Sequence, residues 1–281
     1  MKLGYIDYLN CYPFYYHMFE HQSIDGVDIV AGYPTDLNRM MISGQLDMSP
    51  ISAATCAQLG DDVVLLPDFC LSSEGYVGSV VLRSKVPIED LDGRIVGVSS
   101  ASHTSVVLLK ILLEYYYDVK PVYFKTDPNP ELDGMDAVLL IGNDAMIESR
   151  EPVSYSYDLG ELWLRKTGFP VVFAVFAVRK SSIKAHSLQI NAVINTYHES
   201  LRCLDVEPHN VISSVKQRYP GIVYDISDYY RTLQFQFTNE LKNALNYYLD
   251  MAAKLGLLDS GTAPEYLEWN ADLSALVRRQ E

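Results

Sequence analysis

The chain has 281 residues, 48% hydrophobic and 21% charged, the profile of a globular protein long enough for one large domain or two ordinary ones. Its formal net charge of −14, from 22 basic and 36 acidic residues, argues against nucleic acid or an anionic membrane as a partner. No apolar run is long enough to span a bilayer and Met1–Asp7 carries no apolar leader, so a cytoplasmic chain is expected. The four cysteines, Cys11, Cys56, Cys70 and Cys203, are scattered with no Cys-x-x-Cys pair. They read as packing residues in a reducing compartment.

Leu3–Ile6 is a predicted strand, followed by the loop Asp7–Pro13 and a helix from about Phe14. Ligands of open α/β sheets collect where strands end, which puts Asn10 in position either for function or for an ordinary turn. Val27–Ala31 is a second strand. Thr35–Ser43 reads as a helix with Thr35 as N-cap and Gly44 supplying the positive φ of its C-terminus. Leu46–Met48 follows as a short buried strand. Ser49-Pro50 then has the form of an N-cap with proline at the first helical position, which places Ser52 in the first turn of a helix running to Leu59.

Further strands are expected at Val63–Pro67, Gly78–Ser84, Arg94–Val98, Ala137–Ile141 and Pro170–Val178, the last rich in β-branched and aromatic residues. Val106–Tyr117 is apolar nearly all round and reads as a buried helix. Asp158–Lys166 is a helix closed by Gly168. Helical periodicity begins again near Ser181, His209, Ile226 and Thr238, with the last segment ending at Gly256.

The pattern changes near Ser84 and near Arg179, each time at the end of a long β run. Two lobes joined by two extended crossings fit this: 1–83 plus 180–281 as one lobe and the insertion 84–179 as the other, with a substrate cleft between them. Four segments would converge on that cleft: Tyr8-Leu9-Asn10, Ser49–Ser52, Gly78-Ser79 and Ser102–Ser105. They are rich in hydroxyls and amides and poor in lysine and arginine, which suits holding carboxylates and polarising a leaving oxygen. The alternative is four unrelated caps. His103 is either a general base or an exposed loop histidine. Asn143-Asp144 either touches ligand or caps the next element. Arg39 pairs with an anion or, more simply, with Asp47. Tyr115–Tyr117 and Tyr229-Tyr230 read as packing and surface. No P-loop, dinucleotide fingerprint, nucleophile elbow or metal-ligand spacing is present.

Taken together, Tyr8-Leu9-Asn10, Leu46–Ser52, Gly78-Ser79-Val80, His103-Thr104-Ser105, Leu140–Asp144, Asp158–Trp163 and Thr167–Ala174 resemble the chorismate dehydratase family of the futalosine route to menaquinone. The likeness runs from about residue 3 to residue 180. The resemblance implies a type II periplasmic-binding-protein-like α/β fold and a cytoplasmic hydro-lyase with no cofactor or metal, acting on the small molecule chorismate. It assigns Asn10 and Ser79 to the chemical step. Ser52, Thr104, Ser105, His103, Asn143 and Asp144 are assigned to substrate binding. The family more often has Ala-Thr-Ser at 103–105, Gly-Asp-Asp at 142–144 and tryptophan at Phe176. Two alternatives stay open, the sister 1,4-dihydroxy-6-naphthoate synthase of the same pathway and a non-catalytic anion-binding protein of the same fold.

Overall fold

A computed structural model describes residues 1–147, 153–260 and 263–268. The portions of the expected lobes at 148–152, 261–262 and 269–281 lie outside the described residues.

The chain opens with β1 (Lys2–Ile6), α1 (Tyr12–Glu20), β2 (Asp28–Gly32), α2 (Pro34–Ile42), β3 (Met48–Ser52), the short helix α3 (Cys56–Leu59) and β4 (Val63–Ser73). It continues with β5 (Val80–Ser84), β6 (Ile95–Ser99), α4 (Thr104–Lys110), β7 (Val122–Thr126), β8 (Ala137–Ile141), β9 (Tyr155–Asp158), α5 (Leu159–Thr167) and β10 (Val171–Arg179). The C-terminal part holds α6 (Lys180–Ala185), α7 (Ser187–Val206), α8 (Pro208–Arg218), α9 (Ile226–Thr232), β11 (Leu233–Gln236) and α10 (Asn239–Lys254).

The strands form two mixed sheets. The first has six strands in the order β11-β4-β10-β3-β1-β2, and the second has five in the order β7-β6-β8-β5-β9. In the first sheet β1 runs parallel to β2 and β3, while β10 returns antiparallel between β3 and β4. In the second, β6 is parallel to β7 and β8, and β5 is antiparallel to β8 and β9. Parallel strands sandwiched between helices are buried on both faces, which is why β1, β6 and β8 read as nearly continuous apolar runs. An aromatic cluster fills the space between the first sheet and its helices: Phe14 of α1, Phe69 of β4, Phe176 of β10 and Tyr197 of α7 pack edge-on or tilted on one another.

Several expected boundaries move, each for a physical reason. Strand membership shifts the changeover between the sheets. Val80–Ser84 pairs in the second sheet and Val171–Arg179 in the first, so the chain passes between them through residues 74–79 and 159–170 rather than at Ser84 and Arg179. The helix expected after Ser49-Pro50 is instead the buried strand β3, with Ser49 to Ser52 paired to Ala177 to Ala174. Only Leu3 of β1 pairs with β3, at Met48, so Pro50 sits where the strand is paired on one side alone, a setting that tolerates a missing N–H. β4 runs past Pro67 to Ser73 because its register against β10 jumps between Leu65 and Cys70, and the proline falls inside that irregularity.

The N-cap of α2 lies two residues earlier than expected. Tyr33 is its N-cap and Pro34 its first residue, which frees the Thr35 hydroxyl to donate to Ser100 O. Its C-terminus ends as expected, with Gly44 at φ +73° and the N–H groups of Gly44 and Gln45 bonding back to Met41 O and Met40 O. The buried helix α4 continues as π-helical turns over Ile111–Tyr116. Strands β7, β9 and β11 lie outside the elements expected from periodicity. β7 and β9 are exposed edge strands, and β11 is a four-residue edge.

Candidate active site

Asn10, Ser52, Ser79, Thr104 and Ser105, drawn from separate stretches of chain, line one cavity of about 50 Å³ between the two sheets. Apolar and aromatic side chains, among them Ile6, Tyr8, Leu71, Val77 and Phe173, make up most of the rest of its wall. Among the described residues, no lysine, arginine or carboxylate lines it. The arrangement offers hydroxyls and amides in a mostly apolar shell, where each hydrogen bond is worth more than in water.

Ser52 ends β3 and is gripped by a residue the sequence did not single out. Asn38 of α2 donates to Ser52 Oγ at 2.9 Å and accepts the Ser52 N–H at 3.0 Å. Both side chains are buried. Because Asn38 occupies a lone pair of Ser52 Oγ, the hydroxyl hydrogen stays available for an anion. Nothing in the sequence beyond its position on the buried face of α2 distinguishes Asn38.

Ser79 lies in the passage leading into β5. Asp158, at the junction of β9 and α5, holds that passage. Its carboxylate accepts Gly78 N–H at 2.7 Å and Val77 N–H at 3.1 Å while capping α5 through Glu161 N–H at 3.0 Å. Behind Ser79, Tyr229 of α9 donates its hydroxyl to Ser79 Oγ at 2.8 Å, and the Asn10 side chain is near enough to act on the pKa of the same phenol. Burial holds the Tyr229 pKa well above that of a free tyrosine, so it remains a donor. Read from sequence as packing and surface, Tyr229 is buried as expected of a packing residue, but its hydroxyl is bonded into the site.

The Asn10 loop is braced on both sides. Leu9 N–H donates to Asn143 Oδ1 at 3.0 Å and Tyr230 donates to Leu9 O at 2.7 Å. Asn10 Oδ1 is buried and has no hydrogen-bond partner among the described residues, an open acceptor at the cavity wall.

Thr104 is differently placed from Ser52 and Ser79. Its hydroxyl donates to Phe173 O at 3.0 Å and accepts Ala54 N–H at 3.2 Å, tying α4 to β10 and to the turn after β3. A hydroxyl has a single hydrogen, so this one is already committed. Ser105 uses its backbone N–H on Ser102 Oγ at 3.2 Å and keeps its hydroxyl at the cavity.

Three other expected site residues stand outside this wall. His103 bonds Thr55 Oγ1 through Nδ1 at 3.1 Å and faces a separate open groove, and burial lowers its pKa. Asn143 is occupied with Leu9. Asp144 does not line the cavity; its pKa is pushed up to about 6 by burial and its Oδ2 is without a partner among the described residues. Arg39, expected to meet Asp47 or an anion, pairs with Asp36 one helical turn away. Asp47 instead accepts from Ser182 Oγ at 2.5 Å and from Lys2 N–H at 2.7 Å.

Residues 1–254 match the model of a family described as menaquinone biosynthesis. The chain is 31% identical over 197 residues to a chorismate dehydratase of Thermus thermophilus, an alignment that covers 64% of this chain and 70% of that protein. It is also 27% identical over 144 residues to a 1,4-dihydroxy-6-naphtoate synthase of the same organism, covering 51% and 52% respectively. Among solved structures, the periplasmic aliphatic sulphonate binding protein SsuA of Escherichia coli matches with a TM-score of 0.65 at 15% identity, over 94% of each chain. The last likeness is one of fold, and with the two mixed sheets it establishes a periplasmic-binding-protein-like α/β architecture. On that architecture, and with a family model matched along nearly its whole length, the chain belongs to the menaquinone biosynthesis family.

Proposed function

We propose that the chain is a chorismate dehydratase, a carbon–oxygen lyase that removes water from chorismate to give 3-[(1-carboxyvinyl)oxy]benzoate. The observation that carries this reading is the convergence of Asn10, Ser52, Ser79 and Ser105 on one apolar cavity, in a chain related to a protein of that name. Chorismate is a dianion with a ring hydroxyl beside an enolpyruvyl ether. Loss of one ring proton and that hydroxyl makes the ring aromatic, which supplies the driving force. The enzyme then has to orient the substrate and stabilise the departing oxygen, and positioned acid–base contacts of this kind contribute about 10²–10⁴-fold.

Ser52 and Ser105 hold the carboxylates through their free O–H groups. Ser79 donates to the leaving hydroxyl, and Asn10 Oδ1 accepts from it before it departs. Among the described residues no basic side chain lines the cavity, so the ring proton goes to the substrate's own enolpyruvyl carboxylate, which hands it on to the departing hydroxyl so that water leaves and the carboxylate is restored. Thr104 orders the wall, while His103 and Asn143 brace the segments around it through Thr55 and Leu9.

The two sheets are the cores of two lobes, with the paired ends of β4 and β10 as their hinge. A cavity of about 50 Å³ holds only a few waters, whereas ligand sites usually run to roughly 300 Å³ or more. Substrate therefore enters by separation of the lobes. Among the described residues no helix is long and apolar enough to cross a membrane, and all four cysteines are free, which suits a reducing cytoplasm.

The test is incubation of purified protein with chorismate and mass analysis of the products. A product lighter by one water, formed without added metal or nucleotide, is expected. Tight binding without turnover points to a binding protein of this fold. Unchanged chorismate, with turnover of the sister enzyme's substrate, favours the naphthoate synthase suggested by the second relative.

A further inference from the structure

We propose that Tyr229 is the positioning residue for Ser79, in a relay Tyr229 → Ser79 that ends at the cavity. The inference rests on the dehydratase reading and extends it to a residue from α9, outside the sequence motifs quoted for the resemblance.

Three observations support it. First, the Tyr229 hydroxyl lies 2.8 Å from Ser79 Oγ and donates to it. Ser79 thereby has one lone pair occupied, and its own hydrogen remains for a ligand. Second, Asn10 is among the groups that act on the pKa of the same phenol, so Tyr229 sits between the two residues proposed for the chemical step. Third, Tyr229 is buried and does not itself line the cavity. A phenylalanine would fill the same space without the cost of burying a phenol, so the hydroxyl is there for its bonds.

The relay acts through polarity and direction. A donor feeding into Ser79 Oγ strengthens the bond that Ser79 makes in turn, because consecutive hydrogen bonds polarise one another in a low-dielectric site. It also fixes the Ser79 rotor, so the O–H points at the departing oxygen without reorganising during the reaction. The effect belongs to the transition state, where charge builds on that oxygen.

The experiment is steady-state kinetics on native protein, Tyr229→Phe, Ser79→Ala and the double variant, with melting temperatures as a folding control and product affinity as a second readout. For Tyr229→Phe, kcat should fall by about 3- to 10-fold, the range for one lost neutral hydrogen bond, with KM and product affinity moving much less. In the Ser79→Ala background the same change should have almost no further effect, because the relay has lost its end. A purely structural tyrosine would lower kcat equally in both backgrounds, and that result overturns the proposal. Full activity of Tyr229→Phe also overturns it while leaving the dehydratase reading intact. Native protein that leaves chorismate unchanged removes the dehydratase reading, and the proposal with it.

Discussion

Among single residues, the hydroxyls around the cavity divide by where their one hydrogen goes. Ser52 and Ser79 are hydrogen-bond acceptors from Asn38 and Tyr229, so each keeps its hydrogen for a ligand. Thr104 spends its hydrogen on Phe173 O and a lone pair on Ala54 N–H. From sequence, Thr104 is expected to bind a carboxylate; in the structure its hydroxyl is committed to the backbone, and we propose that it holds the wall. Replacing it with valine keeps its shape and strands a buried carbonyl and a buried N–H. We expect a loss of roughly 2–4 kcal/mol in stability, read as a lower urea midpoint, with kcat largely retained. A large rise in KM at unchanged stability would return Thr104 to substrate binding. No regularity of the sequence could have separated these hydroxyls, because the difference lies in partners 14 to 150 positions away.

Among the elements, much of the site depends on junctions. Asp158 is legible in the sequence as the start of a helix, and it does cap α5. Its second task, holding the N–H groups of Val77 and Gly78, is visible only when the passage between the sheets lies across the same helix start. One carboxylate therefore fixes both a helix and the approach to Ser79. Asp158→Ala should cost about 3 kcal/mol, combining a lost cap with lost charge-assisted bonds to buried backbone. It should also lower kcat, whereas Asp158→Asn, which retains one carbonyl acceptor, should do less of both. Thermal unfolding and kinetics on the two variants measure this. Equal effects of Ala and Asn would mean that the negative charge, rather than the acceptor geometry, is what matters. The misread element, β3, carries a related lesson. Ser49-Pro50 has the local form of a helix start, yet all five residues of β3 pair with β10 and are buried, and tertiary pairing outweighs a local cap signal.

Across the whole molecule, the sheets approach each other where Tyr8 of the first packs on Gly142 at the end of β8. A Cβ at residue 142 would lie 2.6 Å from the Tyr8 ring, and the backbone there has φ +56°. Such an approach requires glycine. Ligand binding should bring the lobes together and reduce the radius of gyration in solution scattering. Gly142→Ala should blunt that contraction by wedging Tyr8 away. No change at saturating product in the native protein would count against hinge closure, though not against the enzyme.

The α/β class, the first strands, the buried β8, the helix ends at Gly44 and Gly168 and the polar segments around the cavity are all legible in the order of residues alone. They follow from local periodicity and from chemistry that a few adjacent residues carry. Which sheet receives β5 and β10, that Ser52 ends a strand, and that His103 turns into a different groove emerge only once the chain is folded. Folding also brings Asn38 and Tyr229 into the site. Those outcomes depend on pairing register and on side chains far apart in the chain, and such contacts leave no periodic trace in the residues that make them.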